Sequence, residues 1–190
     1  MNRVTVFLLL GGTSRRMGQP KSELIYRGQP FWAQIAESLS AVGTVVLSLR
    51  QNSGRYPYPT VTDVYENCGA LGGMISCLRV CQTPLAFFCA CDMPLLTADV
   101  PTHLMSMLPA QAQAVVPVSH DGYAHPLCAI YRREVLPILE QQLAAGDLRV
   151  LHLLEHIRVH YLQIAQNSAL ERQLMNTNTP EEYRTLCQTP

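Results

Sequence analysis

Two hydrophobic rhythms alternate along the chain. Near-continuous apolar runs at residues 4–10, Thr44–Leu49, 85–91 and Ala114–Val118 read as strands covered on both faces. Between them lie stripes of helical period. Phe31, Ile35 and Leu39 form one, with Trp32 and Ala36 beside them, and Leu71, Met74, Ile75 and Leu78 form another. Gly43 closes the first helix, and Gly69-Ala70-Leu71-Gly72-Gly73 opens the second. Short strands are predicted at Thr60–Thr62, 127–131 and 159–164, and helices at 97–108, 134–145 and 149–156. Thr97 is expected to cap the first of these helices, with Pro101 early in it. Strands alternating with helices predict βαβ units, a mostly parallel sheet and one domain spanning residues 1–190, with a core at about 4–183.

Composition narrows the function. Fourteen basic and fourteen acidic side chains cancel, so no global field attracts nucleic acid or an anionic membrane, and any anion site is local. No apolar run reaches membrane-spanning length. The opening apolar run leads into glycines and arginines rather than a cleavage site, so it reads as a first strand of a cytoplasmic protein. Seven cysteines are present. Cys77 and Cys81 share a face, as do Cys89 and Cys91, but neither spacing is that of a zinc ribbon, and free thiols used as small hydrophobes are expected.

Three segments carry chemistry. Directly after the first strand comes Leu9-Leu10-Gly11-Gly12-Thr13-Ser14-Arg15-Arg16-Met17-Gly18-Gln19-Pro20-Lys21. Glycines there let backbone N–H groups approach a phosphate, and Arg16 and Lys21 add positive charge. Lys21 is misplaced for a Walker A loop, and no G-x-G-x-x-G is present. Asp92 ends the strand at 85–91 and Asp63 ends Thr60–Thr62, the strand ends at which open α/β sheets collect ligands. Either can serve a nucleotide or its metal, or merely form a turn or cap. The third segment, Asn176-Thr177-Asn178-Thr179-Pro180-Glu181-Glu182, contains a capping box of Thr179 and Glu182. The box leaves the two asparagines unexplained, and both can direct amides at a ligand.

In this order, with Cys89-Ala90-Cys91-Asp92-Met93-Pro94 and His125-Pro126 between them, the motifs resemble those of the molybdenum cofactor guanylyltransferases over residues 4–183. The resemblance implies a Rossmann-like three-layer α/β fold with a mixed, mostly parallel central sheet. It also implies Mg²⁺-dependent transfer of GMP from GTP to molybdenum-molybdopterin, with release of pyrophosphate. Leu9, Leu10, Gly11, Gly12, Ser48, Asp63 and Asp92 would line the nucleotide, Arg16 and Lys21 would serve its phosphates, and Asp92 would ligate the metal. His125, Pro126, Arg149, Asn176 and Asn178 would lie on the pterin side. Molybdenum-insertion proteins and recipient molybdoenzymes are the implied partners. Leu10 replaces a smaller residue of the family, Ser48 stands where Asn is frequent, and Ala70 replaces Pro.

Other readings compete. Relatives that use cytosine tend to read Ala-Ala-Gly where this chain has Leu10-Gly11-Gly12, which favours guanine. Other pterin or sugar nucleotidyltransferases share the first motif, and a non-catalytic pterin carrier would have no need of both Lys21 and Asp92. His152-Leu153-Leu154-Glu155-His156 fits the H-x-x-E-H pattern of a zinc hydrolase, with His160 continuing one helical row, although a surface histidine row explains the same spacing.

Overall fold

The computed structural model describes residues 3–11, 20–51 and 56–188. In chain order, the first part contains β1 (Val4–Leu9), β2 (Ile25–Tyr26), β3 (Gln29–Pro30), α1 (Phe31–Leu39), β4 (Thr44–Leu49), β5 (Thr60–Thr62), α2 (Gly69–Val80) and β6 (Leu85–Ala90). Then follow α3 (Asp99–Ser106), β7 (Ala114–Val118), β8 (Cys128–Arg132), α4 (Leu136–Ala144), α5 (Val150–His156), β9 (Val159–Gln163), α6 (Ala169–Gln173) and α7 (Pro180–Gln188). Among the described residues, seven strands form one sheet in the order β5-β4-β1-β6-β8-β7-β9. All neighbours are parallel except β8, which runs antiparallel to both β6 and β7.

Alternation along β1 divides the core. Val4, Val6 and Leu8 face a cluster with Ile35, Leu39, Val100 and Leu104, whereas Phe7 and Leu9 face one with Leu71, Met74, Leu139 and Leu153. Helices therefore cover both faces, which is why the strands lack the polar alternation of a half-exposed sheet. Phe88 stacks on Phe7 at 5.3 Å and meets Tyr131 edge-on at 6.0 Å. Removing a ring so enclosed costs about 3–5 kcal/mol. Five cysteines are part of this packing: Cys77, Cys81, Cys89, Cys91 and Cys128 are buried. Burial pushes the Cys77 and Cys91 thiols up to about 12.

Most sequence-predicted elements appear within a residue or two. Thr97 lies two residues ahead of α3, where Ala98 and not Thr97 takes the N-cap position, although the Thr97 hydroxyl oxygen accepts the Asp99 N–H at 3.3 Å. The helix expected at 134–145 begins with a 3₁₀ turn, Arg133–Val135, before α4. The histidine row requires a correction. Ile157 is extended and ends α5, so His160 lies on β9 opposite Val115 and not on the helix with His152 and His156. His152 instead pairs with Asp147 at 2.5 Å.

A third, small cluster of Leu24, Tyr26 and Phe31 receives Tyr183 and Leu186 of α7. Tyr183 also donates its hydroxyl to the Ile25 carbonyl at 2.7 Å. At the other end of α7 the capping box closes reciprocally: the Glu182 N–H donates to the Thr179 hydroxyl at 3.2 Å, and the Thr179 N–H to the Glu182 carboxylate at 3.0 Å. These contacts fix the late segment of the chain against the segment that follows Lys21.

Candidate active site

One edge of the sheet gathers the chemistry. β1, β4, β5 and β6 deliver Gly11, Arg50, Asp63 and Asp92 from their carboxyl ends. Because β8 is inverted, its entry turn, His125-Pro126-Leu127, reaches the same edge. Among the described residues, two of the cavities that open there hold most of the candidate groups.

The first has a volume of about 320 Å³ and is lined by Leu9, Gly11, Lys21, Ser48, Arg50, Asp63, Gly73, Cys91, Asp92 and Leu127, among others. At one end, the Lys21 Nζ donates to Asp92 Oδ2 at 3.1 Å and to Asn178 Oδ1 at 2.5 Å. Asn178 arrives there because the neighbouring Thr177 N–H donates to the Asp92 carbonyl at 2.7 Å, joining the late segment to the end of β6. At the other end, the buried Ser48 hydroxyl donates to Asp63 Oδ1 at 3.0 Å. Burial raises the Asp63 carboxyl above its ordinary range, opposed by the Ser48 hydrogen bond and the Arg50 charge. Gly73 of α2 fits between them. A Cβ there would meet the Ser48 Oγ at 3.1 Å and Asp63 Oδ1 at 3.4 Å, so any side chain would press on the Ser48–Asp63 bond.

Leu10 does not crowd this cavity. Its N–H is used by the Ser48 carbonyl at 3.0 Å, and its side chain packs into the core on the opposite face from Leu9. Gly12 and Arg16 lie outside the described residues.

The second cavity, about 630 Å³, is lined by Ser119, His120, Asp121, Tyr123, His125, Asn167, Glu171, Arg172, Leu174, Met175 and Asn176. His120 reaches across it to Glu171. His125 is buried, with Nε2 held by Ser119 Oγ at 2.5 Å and Nδ1 without a partner among the described residues. Burial lowers its pKa, against the pull of Asp121 and Asp92, which favours the neutral ring. Asn176 Oδ1 is likewise buried without a described partner. Asn176 therefore lines the second cavity, whereas Asn178 touches the first through Lys21, with Thr177 between them.

Pro126 lines neither cavity; its carbonyl accepts the hydroxyl of fully buried Tyr131 at 2.8 Å, which fixes the turn that carries His125. Arg149 also lines neither. It is exposed at the start of α5, with its Nε 3.5 Å from Asp147. Sequence reasoning missed Arg50, Ser119 and the residues of α6. A signal for α6 was present: Ser168-Ala169-Leu170-Glu171 is a capping-box pattern, and Ser168 accepts the Glu171 N–H at 3.1 Å. Among the described residues, no group of three or more His, Cys, Asp or Glu could hold a metal ion, the H-x-x-E-H segment included.

Comparison with known proteins places this geometry. The model of the MobA-like NTP transferase domain matches residues 6–182. A probable molybdenum cofactor guanylyltransferase of Bacillus subtilis is 32% identical, over 98% of this chain and 95% of its own. One from Carboxydothermus hydrogenoformans is 29% identical, over 98% and 96%. The crystal structure of molybdopterin-guanine dinucleotide biosynthesis protein A from Archaeoglobus fulgidus superposes with a TM-score of 0.84 at 25% identity, covering 97% of each chain. With a seven-stranded mixed sheet, a strand-end cavity charged by Lys21 and Asp92, and these relatives, the chain belongs to the MobA-like NTP transferase family and is a nucleotidyltransferase.

Proposed function

We propose that the chain transfers GMP from GTP to molybdenum-molybdopterin, forming the guanine dinucleotide cofactor and pyrophosphate. The observation that carries this reading is the Lys21–Asp92–Asn178 cluster at one end of the first cavity. Phosphoryl transfer between two anions chiefly requires charge neutralisation and alignment. Lys21 supplies a mobile cation, held by Asp92 and Asn178 until polyphosphate arrives. The pterin's terminal phosphate, already largely ionised at neutral pH, attacks the α-phosphorus in line, so no protein base or nucleophile is needed. The second cavity, with His125 and Asn176, takes the pterin. The neutral His125 ring and the Asn176 amide offer hydrogen bonds suited to the polar edge of a pterin.

The fold family implies Mg²⁺, and the residues fit it. Mg²⁺ is held by one or two carboxylates together with substrate phosphates rather than by a full protein cage. Asp92 and Asp63 supply hard oxygens in one cavity, and Asp92 is the better placed because it lies beside the Lys21 cation, where phosphate charge would collect. Bound there, the ion would offset phosphate charge.

The names of the relatives support guanine as the base, as does the Leu10-Gly11-Gly12 motif. No helix among the described residues is long and apolar enough to cross a membrane. The test supplies Mg²⁺, molybdopterin and either GTP or CTP, and follows pyrophosphate and dinucleotide. GTP should be used and CTP poorly. Equal turnover would remove the guanine assignment, and no turnover with either would remove the reaction.

A further inference from the structure

The nucleotide cavity is laid out across four neighbouring strands. Asp63 follows β5, Ser48 and Arg50 belong to the end of β4, Gly11 follows β1, and Asp92 follows β6. Neighbouring strands lie about 4.8 Å apart, so the line from Asp63 to Asp92 crosses roughly 14 Å. The polyphosphate belongs at the Lys21–Asp92 end, where cation and metal ligand converge. A nucleoside triphosphate stretched along this line then puts its base over β4 and β5. There the cavity continues into a second, polar recess of about 450 Å³ that shares Arg50, Asp63 and Gly69 with it.

Arg50 stands at the junction and lines both spaces. Its stem is held close to the first loop: its Cγ is 3.4 Å from where a Cβ on Gly11 would sit. Its charge also bears on the Asp63 carboxyl, which burial would otherwise push higher. The guanidinium thus brings several donors to the base end of the site, two strands away from the Lys21–Asp92 end.

We infer that Arg50 is a specificity-determining residue that reads guanine, its planar fork donating to O6 and N7 of the base. Guanine presents two acceptors side by side on that edge, adenine replaces one with an amino donor, and cytosine offers an amino donor. A fork of donors therefore matches guanine and opposes the other two. The inference rests on the guanine-nucleotide reading above and adds the residue that enforces it.

Binding of GTP, 7-deaza-GTP, ATP and CTP to the intact protein, measured by titration calorimetry with Mg²⁺, tests this apart from catalysis. Wild type should prefer GTP, and 7-deaza-GTP, which lacks N7, should bind more weakly. Arg50→Ala and Arg50→Lys should each lose about ten- to a hundredfold in GTP affinity, with CTP changed less than about twofold. The penalty for 7-deaza-GTP should vanish in both. Unchanged melting temperatures would exclude misfolding, and an exposed side chain at a strand end makes that the expected result. A parallel loss for GTP and CTP would make Arg50 a phosphate ligand and overturn the inference, as would an unchanged preference in the variants. Wild type that binds GTP and CTP equally would instead overturn the guanine reading on which the inference rests.

Discussion

The two halves of the functional edge are built differently. Around the smaller cavity, polar groups are matched: Lys21 with Asp92 and Asn178, Ser48 with Asp63. Around the larger one, His125 Nδ1 and Asn176 Oδ1 are buried without a described partner. A buried polar atom left unmade costs about 1–3 kcal/mol, which a ligand donor or acceptor can offset. A matched cluster must exchange partners when its substrate arrives, whereas orphaned atoms gain partners. The first arrangement suits a substrate whose charge changes during reaction, and the second suits recognition of a fixed polar outline.

Four substitutions or titrations sharpen this contrast. The largest effect is expected from Asp92→Asn, which preserves shape but removes an anionic ligand. Dinucleotide formation should fall about a hundredfold or more, with only partial recovery as Mg²⁺ is raised, while the melting temperature changes little. Wild-type rates in the folded variant would take Asp92 out of the reaction. Lys21→Ala comes next, with kcat/KM for GTP reduced about ten- to a hundredfold and folding intact, since one charge-assisted contact to phosphate is lost. Unchanged kinetics would reduce the loop to a turn.

On the other side, Asn176→Ala should raise KM for molybdopterin about two- to tenfold and leave KM for GTP alone. An effect on GTP alone would merge the two cavities into one site. The smallest effect concerns pH. His125 has a lowered pKa in the fold, so the unfolded chain binds more protons as acidity rises through the ordinary histidine range. Its contribution to stability is present above about pH 6.5 and is lost as pH falls toward the lowered value. The melting temperature of wild type should therefore decline on acidification more steeply than that of His125→Gln. The difference should be a few degrees at most, at about 2–4 °C per kcal/mol for a chain of this size. Parallel slopes would mean that His125 does not titrate in this range.

How legible this was in the sequence differs between elements for physical reasons. β1, β4, β6 and β7 are buried on both faces, so their apolar runs announce them. The β2–β3 hairpin does not: two-residue strands around Arg27 and Gly28, both at positive φ, are too short to carry a period. The direction of β8 is signalled not by its own composition but by Asp121-Gly122, a hairpin turn pair between β7 and β8, which pair antiparallel with Gly122 at positive φ. Lys21 and the two asparagines stood out as residues that local structure did not need, whereas Asp92 also reads as a turn former and gained weight from its strand-end address. Arg50 did not, since an arginine at a strand end looks like an ordinary solvated side chain until the cavity around it is seen. The histidine row failed because spacing cannot show that Ile157 turns out of the helix.

The bond between Lys21 and Asn178 joins residues 157 positions apart. During synthesis at about 5–20 residues per second, the loop that carries Lys21 waits roughly 8 to 30 seconds for this partner to be made. The sheet can assemble first, since its seven strands all precede residue 164. A nascent or prematurely terminated chain ending just short of Asn178 would then keep the sheet yet lack Asn178 beside Lys21 and α7 over Leu24, Tyr26 and Phe31. Proteolytic clipping ahead of Asn178 would leave the same unfinished product, an enzyme judged intact by its sheet and defective by its turnover.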